Sequence, residues 1–299
     1  MKILLFCASG LLGKVLLEEW GSGEIIPTTS KEADIRSEEQ VWKIFFKCHP
    51  EWTILAAAYT DVDGCEKNPD LAQAVNFRGA VNVARAAREN NSRLQLISTD
   101  YVFDGTKSAP YEIDDPIRPL SVYGRSKAAA EQGVREILPD CCILRTSWLF
   151  GANGKCFPNS ILSLATERTT LSVVTDQTGS PTFNRDLARV VRQLVRAGAA
   201  GTIHATNSGN CSWFEFAQEI LRAGGHADVK VTPTSTQELG RPAPRPRYSV
   251  LSCKSLAPFG ISLRSWKEAL PAYLQEFAAL KHTTEKVSLP AIKQASAQS

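Results

Sequence analysis

The chain has 299 residues, 43% of them hydrophobic, and its 34 basic and 31 acidic side chains leave a formal net charge of +3. That length accommodates one large α/β unit with an appended lobe, and the near-balanced charge, without a basic block or aromatic–basic interleaving, excludes nucleic acid as the expected partner. No apolar run approaches the ~20 residues that span a bilayer, so no membrane association is expected.

The first elements read as strand, turn and helix. Lys2-Ile3-Leu4-Leu5-Phe6 is a short apolar strand, and Cys7-Ala8-Ser9-Gly10-Leu11-Leu12-Gly13 turns into a helix over Lys14–Trp20. This is the βα turn at which a dinucleotide diphosphate meets a helix N-terminus. The pattern calls for three glycines; Cys7 stands at the first, leaving Gly10 and Gly13. The strand runs into glycines and Glu18-Glu19 instead of a cleavage site, so no export signal is read and a cytoplasmic location is expected. The eight cysteines, at 7, 48, 65, 141, 142, 156, 211 and 253, lack metal-ligand spacing. They are expected to be reduced, structural thiols.

Further strand-like runs at Glu24–Pro27, Thr53–Ala56, Leu94–Ile97 and Cys142–Leu144 alternate with helical patterns, among them a long helix over Pro69–Glu89. The alternation predicts a parallel sheet covered on both faces, a doubly wound Rossmann-type α/β fold, in residues 1–150. The fourth strand ends in Ser98-Thr99-Asp100, and ligands of open α/β sheets lie outside the carboxyl ends of strands. Tyr123 and Lys127 follow on one face of a helix predicted over Tyr123–Ile137. A Tyr-x-x-x-Lys pair arises by chance in roughly a third of chains of this composition, so alone it is weak. Its weight comes from the hydroxyl-bearing strand end and the glycine turn, which together place a hydroxyl, a phenol and an ammonium where a carbonyl can be reduced.

After Gly151-Ala152-Asn153-Gly154 the alternation weakens, and residues 151–280 read mainly as a smaller C-terminal lobe closing over the sheet. It contains helices near Ser160–Thr166 and Arg185–Arg196, strands near Leu171–Val174 and Thr202–Ala205, and a helix over Ser212–Ala223 with Ser212 and Glu215 spaced as a capping box. The stretch Arg241-Pro242-Ala243-Pro244-Arg245-Pro246-Arg247 is either a stiff linker or a rigid set of arginines for a diphosphate, and both readings stand. Residues 281–299 lack periodicity and are expected to be a disordered tail.

The motifs together resemble the extended short-chain dehydrogenase/reductases, and within them the dTDP-4-dehydrorhamnose reductase family. The likeness runs from about Met1 to Phe277. Besides the stretches quoted, it rests on Ala56-Ala57-Ala58-Tyr59-Thr60-Asp61-Val62-Asp63, Arg145-Thr146-Ser147-Trp148, Asp176-Gln177-Thr178-Gly179-Ser180-Pro181-Thr182, and Arg241-Pro242 before Tyr248-Ser249-Val250-Leu251. The departures are Cys7 for a glycine and Tyr59 where the family often has His. The resemblance implies that Gly10, Leu11, Leu12 and Gly13 meet a cofactor diphosphate, that Ser30, Asp34 and Ile35 surround the adenosine end, and that Ala58, Tyr59 and Thr60 line the cofactor path. Thr99, Asp100 and Trp148 would meet a sugar nucleotide, and Asn76 matches an amide that supports the active site in extended members.

The implied reaction is reduction of the C4 keto group of a dTDP-linked deoxysugar. In it Tyr123 donates the proton, Lys127 acidifies the phenol and holds the nicotinamide ribose, and Thr99 bonds the carbonyl oxygen. A nicotinamide cofactor, NADPH or NADH, is therefore implied. No carboxylate stands at the end of the second strand, where Ser30 and Lys31 suit a 2′-phosphate, and this tilts the choice slightly toward NADPH. Some family members use Mg²⁺ at a dimer contact, but Val15 stands where an acidic residue would be needed, so no metal site is expected. The implied state is monomer or homodimer. Two alternatives share the scaffold: another sugar-nucleotide epimerase, reductase or dehydratase, and a non-catalytic regulatory subunit like that of methionine adenosyltransferase. A dehydratase would need Glu directly after Asp100, where Tyr101 stands, and Arg145-Thr146-Ser147-Trp148 on the substrate side favours the reductase over the regulatory subunit.

Overall fold

The computed structural model describes residues 1–21 and 23–288. Five strands, β1 (Ile3–Phe6), β2 (Ile25–Thr28), β3 (Trp52–Leu55), β4 (Arg93–Thr99) and β5 (Cys142–Thr146), form a sheet with an edge strand, Gly201–His204. All its pairings are parallel, and the order is β2-β1-β3-β4-β5 followed by the edge strand. The central strands are continuous apolar runs because parallel sheets are covered on both faces. Successive β1 side chains show this directly. Ile3 and Leu5 enter one apolar cluster, and Leu4 and Phe6 enter another.

Helix α1 (Leu11–Trp20) covers the first face, and α2 (Glu38–Cys48), α5 (Gly79–Glu89) and α6 (Val122–Ile137) cover the second. The short helices α3 (Val62–Lys67) and α4 (Pro69–Ala72) lie between β3 and α5, where the expected long helix over Pro69–Glu89 is interrupted by a π-helical turn, Gln73–Arg78. Buried Asn76 sits in that turn. Helix α6 starts where the Ser121 hydroxyl accepts from the Gly124 N–H, which satisfies one of the free donors of its first turn.

The lobe has its own core around Phe150, Phe183, Phe216, Trp266 and Tyr273. Helices α7 (Phe157–Ala165) and α9 (Trp213–Ala223) lie against it, and α9 begins with the capping box of Ser212 and Glu215. The chain nevertheless returns to the sheet in between. Helix α8 (Asn184–Arg196) sends Leu187, Val191 and Leu194 into the cluster beneath α1, and the Gly201–His204 strand, read from sequence as part of the lobe, extends the main sheet beside β5. The last helix runs over Trp266–Ser288, so it includes the first positions of the segment expected to be disordered, and 289–299 lie outside the described residues. All eight cysteines are free.

The turn after β1 shows the consequence of replacing its first glycine. Cys7 adopts a left-handed φ of 71°, a conformation that costs a non-glycine residue about 1–2 kcal/mol. Gly13 is needed for close packing, since a Cβ there would lie 2.1 Å from the Cys7 carbonyl oxygen. Cys7→Gly should relieve the backbone at a smaller cost in unfolded-chain entropy, and should raise unfolding free energy by about 0.5–1 kcal/mol in urea titration. A variant less stable than the parent would show that Cys7 packing outweighs its backbone strain.

Candidate active site

The carboxyl edge of the sheet opens into a cleft of about 380 Å³. Its walls bring together Gly10, Leu11, Leu12 and Gly13 after β1, Ala58 and Thr60 after β3, Thr99 and Asp100 at the end of β4, Tyr123 and Lys127 on α6, and Trp148 beyond β5. Parallel strands end on the same side, so segments distant in sequence converge here. The other expected residues lie outside this cleft. Ser30 and Lys31 are exposed beyond β2, and Ile35 is buried against Gly79. The Asp34 carboxylate is engaged by Arg36, whose Nε lies 2.9 Å and Nη2 2.5 Å from Oδ2. Tyr59 serves through its backbone. Its N–H donates to Asn76 Oδ1 (2.7 Å) and its carbonyl accepts from Asn76 Nδ2 (3.1 Å), while the same Nδ2 donates to Ser126 Oγ on α6 (2.9 Å). Asn76 thereby supports the cleft without lining it. Val15 is buried in the core beneath α1.

Within the cleft the Lys127 ammonium donates to the Ile97 carbonyl at 2.7 Å. Burial pulls its pKa down to about 8, against the attraction of Glu131. Burial raises the Tyr123 pKa well above the ordinary tyrosine value, and a hydrogen bond with Thr99 offsets this only in part. Tyr123 therefore keeps its proton at neutral pH, the state required of a donor. The Tyr101 ring meets it edge-on, with centroids 5.6 Å apart.

The Thr99 hydroxyl accepts from the Tyr101 N–H (3.2 Å) and donates to Asp100 Oδ1 (3.0 Å). Its single proton serves one acceptor at a time. The other oxygen of Asp100 is buried without a partner. Burial raises this carboxyl to about 6 against hydrogen bonds from Ser249 and Thr99.

On the far wall Trp148 has a left-handed φ of 46°, and its indole stacks on Trp213 with centroids 3.5 Å apart and planes within 6° of parallel. The opposite face lies against Gly179, where a Cβ would be 2.5 Å from the indole. Trp213, held by an Nε1–H bond to Gln177 Oε1 (3.2 Å), and Lys155 both line the cleft. Neither was signalled by a motif, because the lobe brings them in by tertiary packing. The Pro-rich loop does not supply its arginines to this cleft. Arg245 Nη2 donates to Asp63 Oδ2 on α3 (2.9 Å) and the Ala243 N–H to Oδ1 (3.1 Å), which fastens the loop to the sheet domain.

A parallel doubly wound sheet with a glycine-bearing first turn, and with Thr, Tyr and Lys converging at its carboxyl edge, defines a protein of the extended short-chain dehydrogenase/reductase class. Residues 1–279 match the family model described as RmlD substrate binding domain. The chain is 40% identical over 277 residues to the spore coat polysaccharide biosynthesis protein SpsK of Bacillus subtilis, with 92% of this chain and 97% of that protein covered. It is 38% identical over 275 residues to dTDP-4-dehydrorhamnose reductase of Mycolicibacterium smegmatis, covering 90% and 84%. The structure of dTDP-4-dehydrorhamnose reductase from Bacillus anthracis in complex with NADP superposes with a TM-score of 0.88 at 41% identity, covering 92% of this chain and all of that one (100%). The chain belongs to the RmlD substrate-binding-domain family.

Trp148 and Trp213 together form an apolar wall of the cleft. Trp148→Ala should raise KM for a sugar-nucleotide substrate by about tenfold and leave the Kd for cofactor within twofold, since the glycine turn after β1 is a separate part of the cleft wall. Kinetics and equilibrium binding on the same preparation check this. Equal losses in both would indicate a scaffold role.

Proposed function

We propose that this chain reduces the C4 keto group of dTDP-4-dehydro-6-deoxy-L-mannose to give dTDP-L-rhamnose, using a nicotinamide cofactor. The observation that carries the reading is one continuous cleft joining the Gly10–Gly13 turn to Thr99, Tyr123 and Lys127 and facing Trp148. The dTDP-4-dehydrorhamnose reductases among the relatives, and the bound NADP in one of them, support it. In this reading the sheet domain takes the cofactor and the lobe mainly the substrate, with α8 and the edge strand belonging structurally to the former.

The residues fit such a cofactor. The N-terminus of α1 has no side-chain cap, so its first N–H groups are available to a diphosphate, and Gly13 keeps the helix close to the turn. When bound, the dihydronicotinamide supplies the hydride equivalent for the carbonyl carbon. Tyr123 gives its phenolic proton to the developing alkoxide, and Thr99, by turning its hydroxyl from Asp100, bonds that oxygen. The Lys127 ammonium supplies positive charge beneath the phenol and holds the nicotinamide ribose. Trp148 and Trp213 hold the substrate while the lobe limits access of water. Tyr101, packed on Tyr123, occupies the position where a dehydratase would need Glu.

Tyr123→Phe should lower kcat by about two to four orders of magnitude with unchanged melting temperature and cofactor affinity, because only the proton donor is removed. Retention of a third of parental activity would remove Tyr123 from this role. The ammonium form of Lys127 is present below its pKa of about 8, so kcat should fall as pH rises through that value; a flat profile to pH 10 would contradict its charged role.

The finer cofactor choice rests on exposed Ser30 and Lys31 beyond β2, with the Asp34 carboxylate engaged by Arg36. NADPH is the favoured form. Lys31→Ala should weaken NADPH about tenfold more than NADH, as expected for loss of a charge-assisted contact. Equal weakening, read by fluorescence titration, would make Lys31 a solvated surface charge.

A further inference from the structure

Beneath the catalytic residues lies a buried ionic group that the proton-transfer steps above leave unused. Glu131, one helical turn beyond Lys127 on α6, is 1% exposed. Its Oε1 accepts from Ser98 Oγ (2.5 Å) and Arg145 Nε (2.9 Å), and its Oε2 accepts from Arg145 Nη2 (2.7 Å). Arg145, on β5 and also 1% exposed, presents Nη1 to His204 Nε2 on the edge strand at 3.2 Å and to the Ile113 carbonyl at 3.4 Å. His204 Nδ1 lies 3.2 Å from the Tyr111 carbonyl, which assigns the proton to Nδ1 and leaves Nε2 to accept from Arg145.

We propose that Glu131 is a positioning residue for the Tyr123–Lys127 pair: its carboxylate is the fixed counter-charge that keeps the Lys127 side chain an ammonium, and its bonds to Ser98 and Arg145 hold α6 in register with the strand end carrying Thr99. This rests on the reductase reading for its catalytic consequence but not for its electrostatic one.

Three features converge on the assignment. Ser98 precedes Thr99, so the bond to Glu131 anchors the same strand end that presents the substrate-facing hydroxyl. Among the described residues Lys127 donates to a neutral oxygen, the Ile97 carbonyl, and forms no direct ion pair, so a charge one helical turn away acts on it without a competing counter-ion. The ionisable groups around this corner include Tyr123 and Glu131 on α6, Asp100 and Tyr101 after β4, Arg145 on β5 and His204 on the edge strand, with Cys7 and Lys155 also lining the cleft. Of these, Glu131 is the one that favours the charged form of Lys127. Burial and the neighbouring Arg145 push His204 down to about 4, so at neutral pH it adds no cation.

The test compares the full-length protein with Glu131→Gln and with the double variant Glu131→Leu/Arg145→Leu, which replaces the pair by apolar side chains and avoids leaving Arg145 buried without its partner. Two readouts are taken. The Lys127 side-chain NMR signal, assigned through Lys127→Arg, is titrated between pH 6 and 10 without substrate, and kcat is measured over the same range. The Lys127 midpoint should fall by about one pH unit in Glu131→Gln and by less, but still measurably, in the double variant, which removes a cation along with the anion; in Glu131→Gln kcat at pH 9 should drop about tenfold against less than threefold at pH 6.5, one unit being tenfold in the charged fraction. KM for the sugar nucleotide should move less than threefold. Should Glu131→Gln fail to fold, the double variant decides. A folded double variant whose Lys127 titration and kcat profile overlay those of the parent would overturn the proposal and leave Glu131 a packing residue. Because the titration needs no turnover, an inactive parent would end the reductase reading without deciding the role of Glu131.

Discussion

The arrangement depends on one buried ion pair, Glu131 with Arg145, set where α6 crosses the ends of β4 and β5. Two charges removed from water are tolerated only when their remaining hydrogen-bonding capacity is filled, and here Ser98, His204 and the Ile113 carbonyl do this. Breaking such a pair from one side costs about 3–5 kcal/mol, so the elements it joins cannot drift independently. Those elements carry Thr99, Tyr123 and Lys127, and β5 ends at Thr146 and leads directly into Ser147-Trp148. The precision of the cleft is thus set from below, by an ion pair that does not itself line it.

The same burial shapes the chemistry above. Desolvation moves Tyr123 and Lys127 in opposite directions, the phenol up and the ammonium down, because each is pushed toward its neutral form. A protonated phenol beside a partly compensated ammonium is suited to giving a proton, which is the reductive direction. Asp100, whose Oδ1 accepts from the Thr99 hydroxyl, determines where the Thr99 proton points. These groups titrate as neighbours, so the pH response of the site belongs to the cluster as well as to its members.

Much of this was legible in the sequence because the relevant spacings are local. The turn from β1 to α1, the Thr99–Asp100 strand end, the four-residue step from Tyr123 to Lys127 and the position of Trp148 just past β5 each lie within one supersecondary unit. What escaped sequence reasoning depends on contacts between distant segments. Trp213 and Gly179 reach Trp148 only when the lobe packs, and the Gly201–His204 strand has the period of a strand but no local sign of which sheet it joins. The arginines of the Pro-rich loop were ambiguous for the same reason, since the partner of Arg245, Asp63, lies 182 positions earlier.

The central claim is that this cleft delivers hydride to the C4 carbon of the deoxysugar while Tyr123 protonates the oxygen. Isotope transfer tests it most directly. The protein would be incubated with dTDP-4-dehydro-6-deoxy-L-mannose and NADPH carrying deuterium at the transferable C4 position, and the product analysed by mass spectrometry and proton NMR. The account predicts dTDP-L-rhamnose with one deuterium at sugar C4, formed only with the protein present. Product without deuterium at that carbon, or no protein-dependent product from this sugar, would contradict it.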